Sequence, residues 1–255
     1  MERIKTKIEP EISDNQNGFR KGKGTREGIS NMRTIGERYL EKQKDIYICF
    51  IDYEKAFDRV NHTAMILCLQ DRGVDSKDLR FITYMYWNQY AAVRTQSGLS
   101  DDIKIKRGVR QGCILSSVLF NLYTDIIFRS MKHLKGVVIG GDSITDSRYA
   151  DDTALLAESE EEVQETLDLV NSKGKELNMK MNAKKTKTVV VTMKQTVPSI
   201  RLKIDGQEIE QVSQFTYLGQ QFTENGKNEH EIKRRIEIAR STFNRIKPLL
   251  HQEIF

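Results

Sequence analysis

Ile46-Tyr47-Ile48-Cys49-Phe50-Ile51-Asp52 is a run of β-prone apolar residues that ends on a carboxylate. A continuous apolar run of this length reads as a strand buried on both faces. An aspartate at its end is an acid placed where acids are costly. Far downstream, Tyr149-Ala150-Asp151-Asp152-Thr153-Ala154-Leu155-Leu156 sets two more aspartates inside an apolar strand. Neighbouring strand residues point to opposite faces, so Asp151 and Asp152 aim at one point only if a hairpin turn falls there. Gathered carboxylates repel one another and hold protons more tightly unless a cation neutralises them. Mg²⁺, a hard ion that takes oxygen ligands, is the natural partner. Two such ions about 3.5–4 Å apart suit an in-line displacement at phosphorus. An Asp-Asp pair alone is a common turn or cap. The strand context and the earlier strand-end acid support a metal site without fixing the reaction.

Outward from these two stretches, helices and strands alternate. Residues 16–26 (QNGFRKGKGTR) read as a Gly/Lys loop, followed by a helix around Ile29–Leu40. A helical pattern runs from Asp52 to about Gln70, and another over Phe81–Tyr90. Ala91–Lys106 reads as a strand pair turning at Ser97-Gly98, and Leu115–Lys132 as a helix with Leu119, Leu122 and Ile126 at helical spacing. Gly136–Glu158 reads as one β-hairpin. Val163, Leu167 and Val170 give the next helix its buried face. Further strands are expected at Val189–Thr192, Ile200–Ile204 and Gln214–Leu218. Ile232, Ile236, Ala239, Phe243, Ile246 and Leu250 form one apolar stripe on a last helix, with Lys233, Arg234 and Arg240 off it. The alternation indicates an α+β or α/β chain.

The chain has 255 residues, 38% hydrophobic and 30% charged, which suits one large or two small domains. No apolar stretch approaches the roughly 18 residues of a membrane span, and no apolar block follows the N-terminus as a secretory signal requires. Cys49, Cys68 and Cys113 form neither a disulfide framework nor a CxxC metal site, which fits a reducing, intracellular compartment. The histidines are scattered and offer no zinc site. The net charge of +5 is unevenly spread. Gly141–Glu176 holds eleven acids against three bases, and Leu177–Lys203 seven bases and no acid. Further basic zones lie at Arg20–Arg26 and Lys227–Lys247. Acidic chemistry flanked by basic surfaces suits a protein that holds divalent cations and a polyanion together. Ordinary solvated helix faces are the competing reading.

FIDYEKAFDRV (Phe50–Val60), RGVRQGCILSSVLFNLY (Arg107–Tyr123) and YADD (Tyr149–Asp152) resemble, in order and spacing, the three palm motifs of reverse transcriptases. NMKMNAKKTKTVVV (Asn178–Val191) is similar to the family's fourth motif, and QFTYLGQQF (Gln214–Phe222) to its primer grip. QNGFRKGKGT (Gln16–Thr25) resembles a fingers segment shared by non-LTR retrotransposon and group II intron enzymes. YLG followed by ENGKNEHEIKRRIEIARSTFNRI is most similar to LINE-type elements of animals. Any one of these is weak, but five or six in order are highly specific.

The resemblance implies an α+β right-hand polymerase palm, an antiparallel sheet backed by helices. Residues 1–45 would be partial fingers, 46–222 the palm with inserted fingers elements, and 223–255 the start of a thumb. It implies an RNA-directed DNA polymerase that extends a DNA primer with dNTPs on an RNA template. Two Mg²⁺ ions are expected, with Mn²⁺ able to substitute. Asp52 and Asp151 would ligate metal directly, with Asp152 ligating or supporting and the Tyr53 carbonyl completing one shell. Phe57 would be the steric gate against a 2′-OH, or simply core of the following helix. Gln111 and Gly112 would meet the incoming nucleotide, and Arg20, Lys21 or Lys23 its triphosphate. Lys185 would protonate the departing pyrophosphate. Phe215, Tyr217, Leu218 and Gly219 would hold the primer terminus, and Lys233 and Arg234 would follow template–primer phosphates. The expected setting is a ribonucleoprotein of nucleus and cytoplasm.

Two departures from the pattern stand out. Cys113-Ile114-Leu115-Ser116-Ser117 lacks both prolines of the usual Cys-Pro-Leu-Ser-Pro, which frees φ in a nucleotide-placing loop. The resemblance also implies fingers strands ahead of Met1, more thumb beyond Phe255, and an endonuclease domain, none of them in this sequence. A truncated or domesticated nucleic-acid-binding derivative is therefore the second reading. An RNA-templated RNA polymerase is the third, and Phe57 argues against it.

Overall fold

The apolar run Ile46–Ile51 forms the central strand of a five-stranded sheet. The structure, a computed structural model, describes residues 2–96 and 98–250. Ser97 of the expected turn and the side chain of Leu250 lie outside the described residues. In chain order, helices α1 (Glu2–Ile8) and α2 (Thr25–Glu41) precede β1 (Ile46–Ile51). Then come α3 (Ala56–Arg59), α4 (His62–Asp71), α5 (Ser76–Trp87), β2 (Tyr90–Ala91), β3 (Arg94–Thr95), β4 (Gly98–Leu99) and β5 (Ile103–Lys104). Helix α6 (Ile114–Arg129) is followed by β6 (Val137–Ile139), β7 (Asp142–Ile144), β8 (Asp146–Tyr149), β9 (Asp152–Ala157) and α7 (Glu160–Glu176). The chain continues through β10 (Lys187–Val191), β11 (Lys203–Ile204), β12 (Gln207–Glu208), β13 (Glu210–Gln211), β14 (Gln214–Tyr217), β15 (Gln220–Thr223) and α8 (Glu229–Leu250).

The sheet order is β13-β10-β1-β9-β8, antiparallel except for the β10–β13 pair. Pairing runs Tyr47 opposite Ala157 to Ile51 opposite Thr153 on one side of β1, and Ile46 opposite Val191 to Phe50 opposite Lys187 on the other. Strand alternation then sorts the side chains. Cys49, Ile51, Leu155, Ala157 and Val190 face a core built with α6 and α7. Ile46, Ile48, Phe50, Leu156, Val189 and Val191 face a second core, with Met32, Ile35 and Tyr39 of α2. Both faces are covered, which is why β1 has no polar alternation. Twelve of the sixteen residues of α6 are buried, so that helix is the axis behind the sheet. Each fully buried Leu, Ile, Val or Phe contributes about 1.5–3 kcal/mol. The α+β expectation holds.

Local chemistry sets the boundaries. Ser159 caps α7 by accepting from the Glu162 N–H at 3.2 Å, and the Glu162 carboxylate returns to the Glu158 N–H at 3.1 Å. The single helical stretch expected from Asp52 to Gln70 is two helices. Asn61 interrupts it, its side chain capping α4 through the Ala64 N–H at 3.0 Å. Asp75 starts α5 earlier than expected by accepting from the Asp78 N–H, and Tyr90 belongs to β2 rather than to that helix. The strand pair over 91–106 is two short nested ladders. Gly136–Glu158 is also two hairpins, β6–β7 and β8–β9, because Thr145 leaves the ladder between them. The strand expected at Ile200–Ile204 shrinks to its last two residues. On α8 the apolar stripe faces solvent, with Ile232 and Phe243 more than half exposed. Among the described residues no helix is long and apolar enough to cross a membrane.

Candidate active site

Asp52 follows directly on β1, and its backbone is held on both sides. Its N–H donates to the Thr186 hydroxyl at 3.2 Å, and its carbonyl accepts from the Asn182 N–H at 2.8 Å. Tyr53 pairs with Met181 in an isolated bridge, which fixes the carbonyl proposed for a metal shell. The phenol of Tyr53 is buried, and burial raises its proton affinity.

The placement of the other two acids departs from the expectation that both sit inside a strand. Tyr149 and Asp152 are the last pair of the β8–β9 ladder, so Ala150 and Asp151 form the turn. Ala150 takes φ +57°, a left-handed conformation costing a non-glycine residue about 1 kcal/mol or more. The turn removes the opposite-face constraint on Asp151 and Asp152. Asp152 lies on the sheet face of Phe50 and Leu156, beside the end of β1.

Two clefts are lined by the acids of this hairpin. One, of about 260 Å³, is lined by Asp52, Asp152 and Lys185, with Phe215 to Gly219 along one wall. The other, of about 670 Å³, is lined by Asp151, Phe57, Gln111 and Gly112, together with Phe19 and Lys5. The acids that share a cleft are therefore Asp52 and Asp152, with Asp151 opening on the neighbouring one. Burial and the charge of Asp52 raise the proton affinity of Asp151. Asp152 is pushed up to about 6, by the protein packed around it and then by the charges of Asp151 and Asp52. The residue is nonetheless exposed to solvent. Carboxylates that raise one another's proton affinity in this way call for a cation, and carboxylate oxygens suit a hard divalent ion. Among the described residues no three acid, histidine or cysteine side chains converge on one metal position. Donors other than these side chains must complete any shell.

Phe57 is half-buried and stacks on Phe120 of α6, with centroids 4.1 Å apart and planes at 10°. It is thus both core packing and cleft wall. Gln111 and Gly112 are exposed in the turn ahead of α6, and Gly112 takes φ +79°. Ile114, where the family has proline, is the first residue of α6, the helical position at which proline is best tolerated.

The basic loop is arranged differently from the expectation. Arg20 pairs with Glu9 at 3.0 Å and donates to the Ser13 carbonyl at 2.8 Å, with little exposure. Lys23 is tied to Asp14 at 3.0 Å, and that pair holds the Asp14 carboxyl below its ordinary range. Lys21 is exposed and pairs with no acid among the described residues. None of the three lines either cleft. Lys5 does, and sequence reading missed it because nothing in the N-terminal run marks which lysine turns inward.

The β14–β15 hairpin closes the first cleft. Leu218 and Gly219 take φ +50° and +80°, a two-residue turn with both positions left-handed. Phe215 stacks on Phe50 at 4.5 Å. The Tyr217 hydroxyl donates to the Ser147 carbonyl at 3.0 Å, on the strand leading to the acids. Phe215 and Tyr217 therefore anchor the hairpin, while Leu218 and Gly219 form its tip. Arg234 of α8 donates to the Gly219 carbonyl at 2.6 Å and pairs with Glu231 at 2.8 Å. That ion pair and the one with Arg235 lower the Glu231 carboxyl to about 2. Arg234 also lines a wide groove of about 1110 Å³ between α2 and α8, with Arg26, Arg33 and Arg235. Lys233 is exposed.

Residues 1–222 match the family model described as "Reverse transcriptase (RNA-dependent DNA polymerase)". The chain is 27% identical over 246 residues to the Pol polyprotein of the R2 retrotransposable element of Nasonia vitripennis, covering 93% of this chain and 24% of that protein. It is 30% identical over 184 residues to the R2 polyprotein of Popillia japonica, covering 71% and 26%. It is 27% identical to the RNA-directed DNA polymerase from mobile element jockey of Drosophila funebris, covering 80% and 22%. This chain thus spans about a quarter of the length of these relatives. Among solved structures, the apo telomerase of Candida tropicalis aligns with a TM-score of 0.64 at 14% identity, covering 87% of this chain and 38% of that one. The telomerase of Candida albicans, solved with a fragment of telomeric RNA, aligns with a TM-score of 0.57, covering 88% and 37%. With a polymerase palm, its acids at the turn and strand end, and a family match over most of its length, this chain belongs to the reverse transcriptase family, on the non-LTR retrotransposon branch.

Proposed function

We propose that this chain is the polymerase module of a retrotransposon protein, extending a DNA primer with dNTPs on an RNA template by Mg²⁺-dependent phosphoryl transfer. The observation that carries the reading is that Asp52 and Asp152 line one cleft and the adjoining Asp151 lines another, with the charges of Asp52 and Asp151 both acting on Asp152. One cleft is capped by the hairpin tip, and the other is walled by Phe57. Reverse transcriptases use divalent metal ions, and here Asp52 and Asp152, with Asp151 and the Tyr53 carbonyl, would hold them. Such ions would supply Lewis acidity to the phosphoryl transfer. The protein's part is then positioning and charge. Leu218-Gly219 supports the primer end, Gln111-Gly112 meets the nucleotide, and Phe57 lies under its sugar. Lys185, across the acid cleft, hands a proton to pyrophosphate, and Lys5 screens the triphosphate. Residues 1–45, 46–222 and 223–255 serve as partial fingers, palm and the start of a thumb. Primer extension by the whole chain on a primed RNA, with and without Mg²⁺, tests this. Salt-sensitive binding of template–primer without any extension would instead favour the domesticated binding protein.

Phe57 gives a second test. Phe57→Val should raise NTP incorporation relative to dNTP by roughly 10²-fold, since the stacked ring leaves no room for a 2′-hydroxyl. An unchanged ratio would return Phe57 to a packing role alone.

The raised carboxyls give a third. Asp152 faces Asp52 at the end of β1, Asp151 in the turn, Lys185 ahead of β10 and Tyr217 of β14. Its folded proton affinity exceeds the unfolded one, so the folded state binds more protons as pH crosses the interval from 3.8 to about 6. Stability from this group is complete below that interval and is lost as pH rises through it. In metal-free buffer at pH 7.5, Asp152→Asn should therefore melt higher than wild type, by roughly 2 °C after solvent screening of the exposed residue. Mg²⁺ should raise the wild type and close the gap. A variant that melts lower, or a gap that Mg²⁺ leaves unchanged, would contradict the gathered charge.

A further inference from the structure

Strand β8 is the open edge of the sheet, and the turn that carries Asp151 projects from it. Asn15–Gly18 lies along that edge. The Arg148 N–H donates to the Asn15 carbonyl at 2.9 Å and the Asn17 N–H to the Arg148 carbonyl at 2.8 Å, so Gln16 and Arg148 form a parallel bridge. Beyond this bridge, left-handed Ala150 lies in the turn and pairs with no residue of β9. A single side chain takes up both the Ala150 N–H and the Ala150 carbonyl. The Gln16 Oε1 accepts from the Ala150 N–H at 2.9 Å, and its Nε2 donates to the Ala150 carbonyl at 3.3 Å. The same Oε1 also accepts from the Gly18 N–H at 2.8 Å. Gln16 is fully buried. Gly18 is dictated by this closeness, since a Cβ there would lie 2.4 Å from the Ala150 nitrogen. Its carbonyl accepts from the Asn121 side chain at 2.7 Å, which ties the clamp to α6.

We propose that Gln16 is a positioning residue for the catalytic acids, its carboxamide clamping the Ala150–Asp151 turn so that Asp151 and Asp152 are held for metal. Only a carboxamide can both accept from the N–H and donate to the carbonyl of one residue while also accepting from the N–H of another. Asn is one methylene too short for the same span, and Glu has no donor when ionised. The geometry thus gives the start of the QNGF segment, which the sequence marks only as part of the fingers, a part in holding the acids. The proposal deepens the polymerase reading and rests on it.

The test uses the whole chain with three variants. Gln16→Met fills the same volume and loses all three hydrogen bonds, and Gln16→Glu keeps the acceptors and loses the donor. Asn17→Ala removes neighbouring bonds to the Asn15 and Arg148 carbonyls without touching the turn. Gln16→Met should keep template–primer binding and slow extension by up to roughly 10²-fold, the scale expected for acids misplaced by about an ångström. Its Mg²⁺ midpoint should move upward while the dNTP KM stays within about twofold, because the sugar and base contacts are intact. Gln16→Glu should fall between it and wild type. Asn17→Ala should lose stability and keep the Mg²⁺ midpoint. A wild-type rate and midpoint in Gln16→Met would overturn the proposal, as would equal losses in Asn17→Ala. Hydrogen exchange of residues 147–154 in metal-free protein separates the clamp from the chemistry. Faster exchange there in Gln16→Met is expected even if the wild-type chain extends no primer, a result that would end the polymerase reading alone. Unchanged exchange would end the clamp.

Discussion

Asp52→Asn should reduce Mg²⁺-dependent primer extension by roughly 10³-fold, the scale set by loss of one preorganised charged group at a reacting centre. The substitution is nearly isosteric, and the structural work at this position is done by backbone. The N–H bond to Thr186 and the carbonyl bond from Asn182 remain in the variant. Only the charge goes, and with it the acid that couples to both Asp151 and Asp152. Removing one of three like charges relieves repulsion, so the variant should melt no lower than wild type in metal-free buffer. Template–primer affinity should hold, because the basic groove between α2 and α8 does not include Asp52. The combination is specific: activity gone, fold and binding kept. More than a tenth of wild-type extension in Asp52→Asn would remove this residue from the metal site. Loss of folding would instead show that its carboxylate, and not its backbone, holds the strand end.

The parts of this architecture that are legible in sequence share one property: their cause is local. Ile46–Ile51 is a strand between the same residues in both readings because both its faces are buried and every residue says so. Val163, Leu167 and Val170 mark the buried side of α7 at helical spacing, and all three are buried. The acids are legible as a group because aspartate inside apolar sequence is expensive wherever it falls. What sequence does not show depends on distant partners. YADD reads as strand until its register against Asp152 makes Ala150 and Asp151 a turn. Arg20 and Lys23 read as free cations in a glycine loop, yet Glu9 and Asp14 occupy them. Gln16 carries no charge and no periodicity, and its meaning lies in a peptide unit 134 positions away. Tyr217 likewise reads as a primer contact but spends its hydroxyl on the strand behind the acids. Side chains that look like ligand contacts in the sequence are here the internal ties that hold those contacts still.

Arg148→Met should destabilise the protein by about 3–5 kcal/mol, the range for breaking a buried ion pair on one side. Arg148 stands just before YADD and is 1% exposed, the largest of the fully buried side chains. Its Nε donates to Asp146 at 2.7 Å and its Nη2 to Asp125 at 3.4 Å, while the guanidinium lies 4.1 Å over the Phe128 ring. Both carboxylates are buried, but they are not equally dependent on it. Asp125 keeps Arg129 at 2.7 Å. Among the described residues Asp146 keeps only neutral donors, Asn15 at 3.0 Å and the Thr145 hydroxyl at 3.1 Å, and would become a buried charge without a counter-ion. The penalty should therefore come mainly from Asp146, and a second substitution can show it. Arg148→Met with Asp146→Asn removes that charge while leaving an amide oxygen for Asn15, so the double variant should recover a large part of the loss. Denaturant midpoints at unchanged slope would measure both effects. If the double variant is as unstable as the single one, the cost lies in lost packing over Phe128 rather than in the stranded carboxylate. The same variants bear on chemistry, because the Arg148 backbone holds Asn15–Gly18 against the edge of the sheet. Single and double variants alike keep that backbone pairing. Extension measured well below the melting temperature should then stay much closer to wild type than in Gln16→Met, separating what keeps the acid hairpin folded from what aims it.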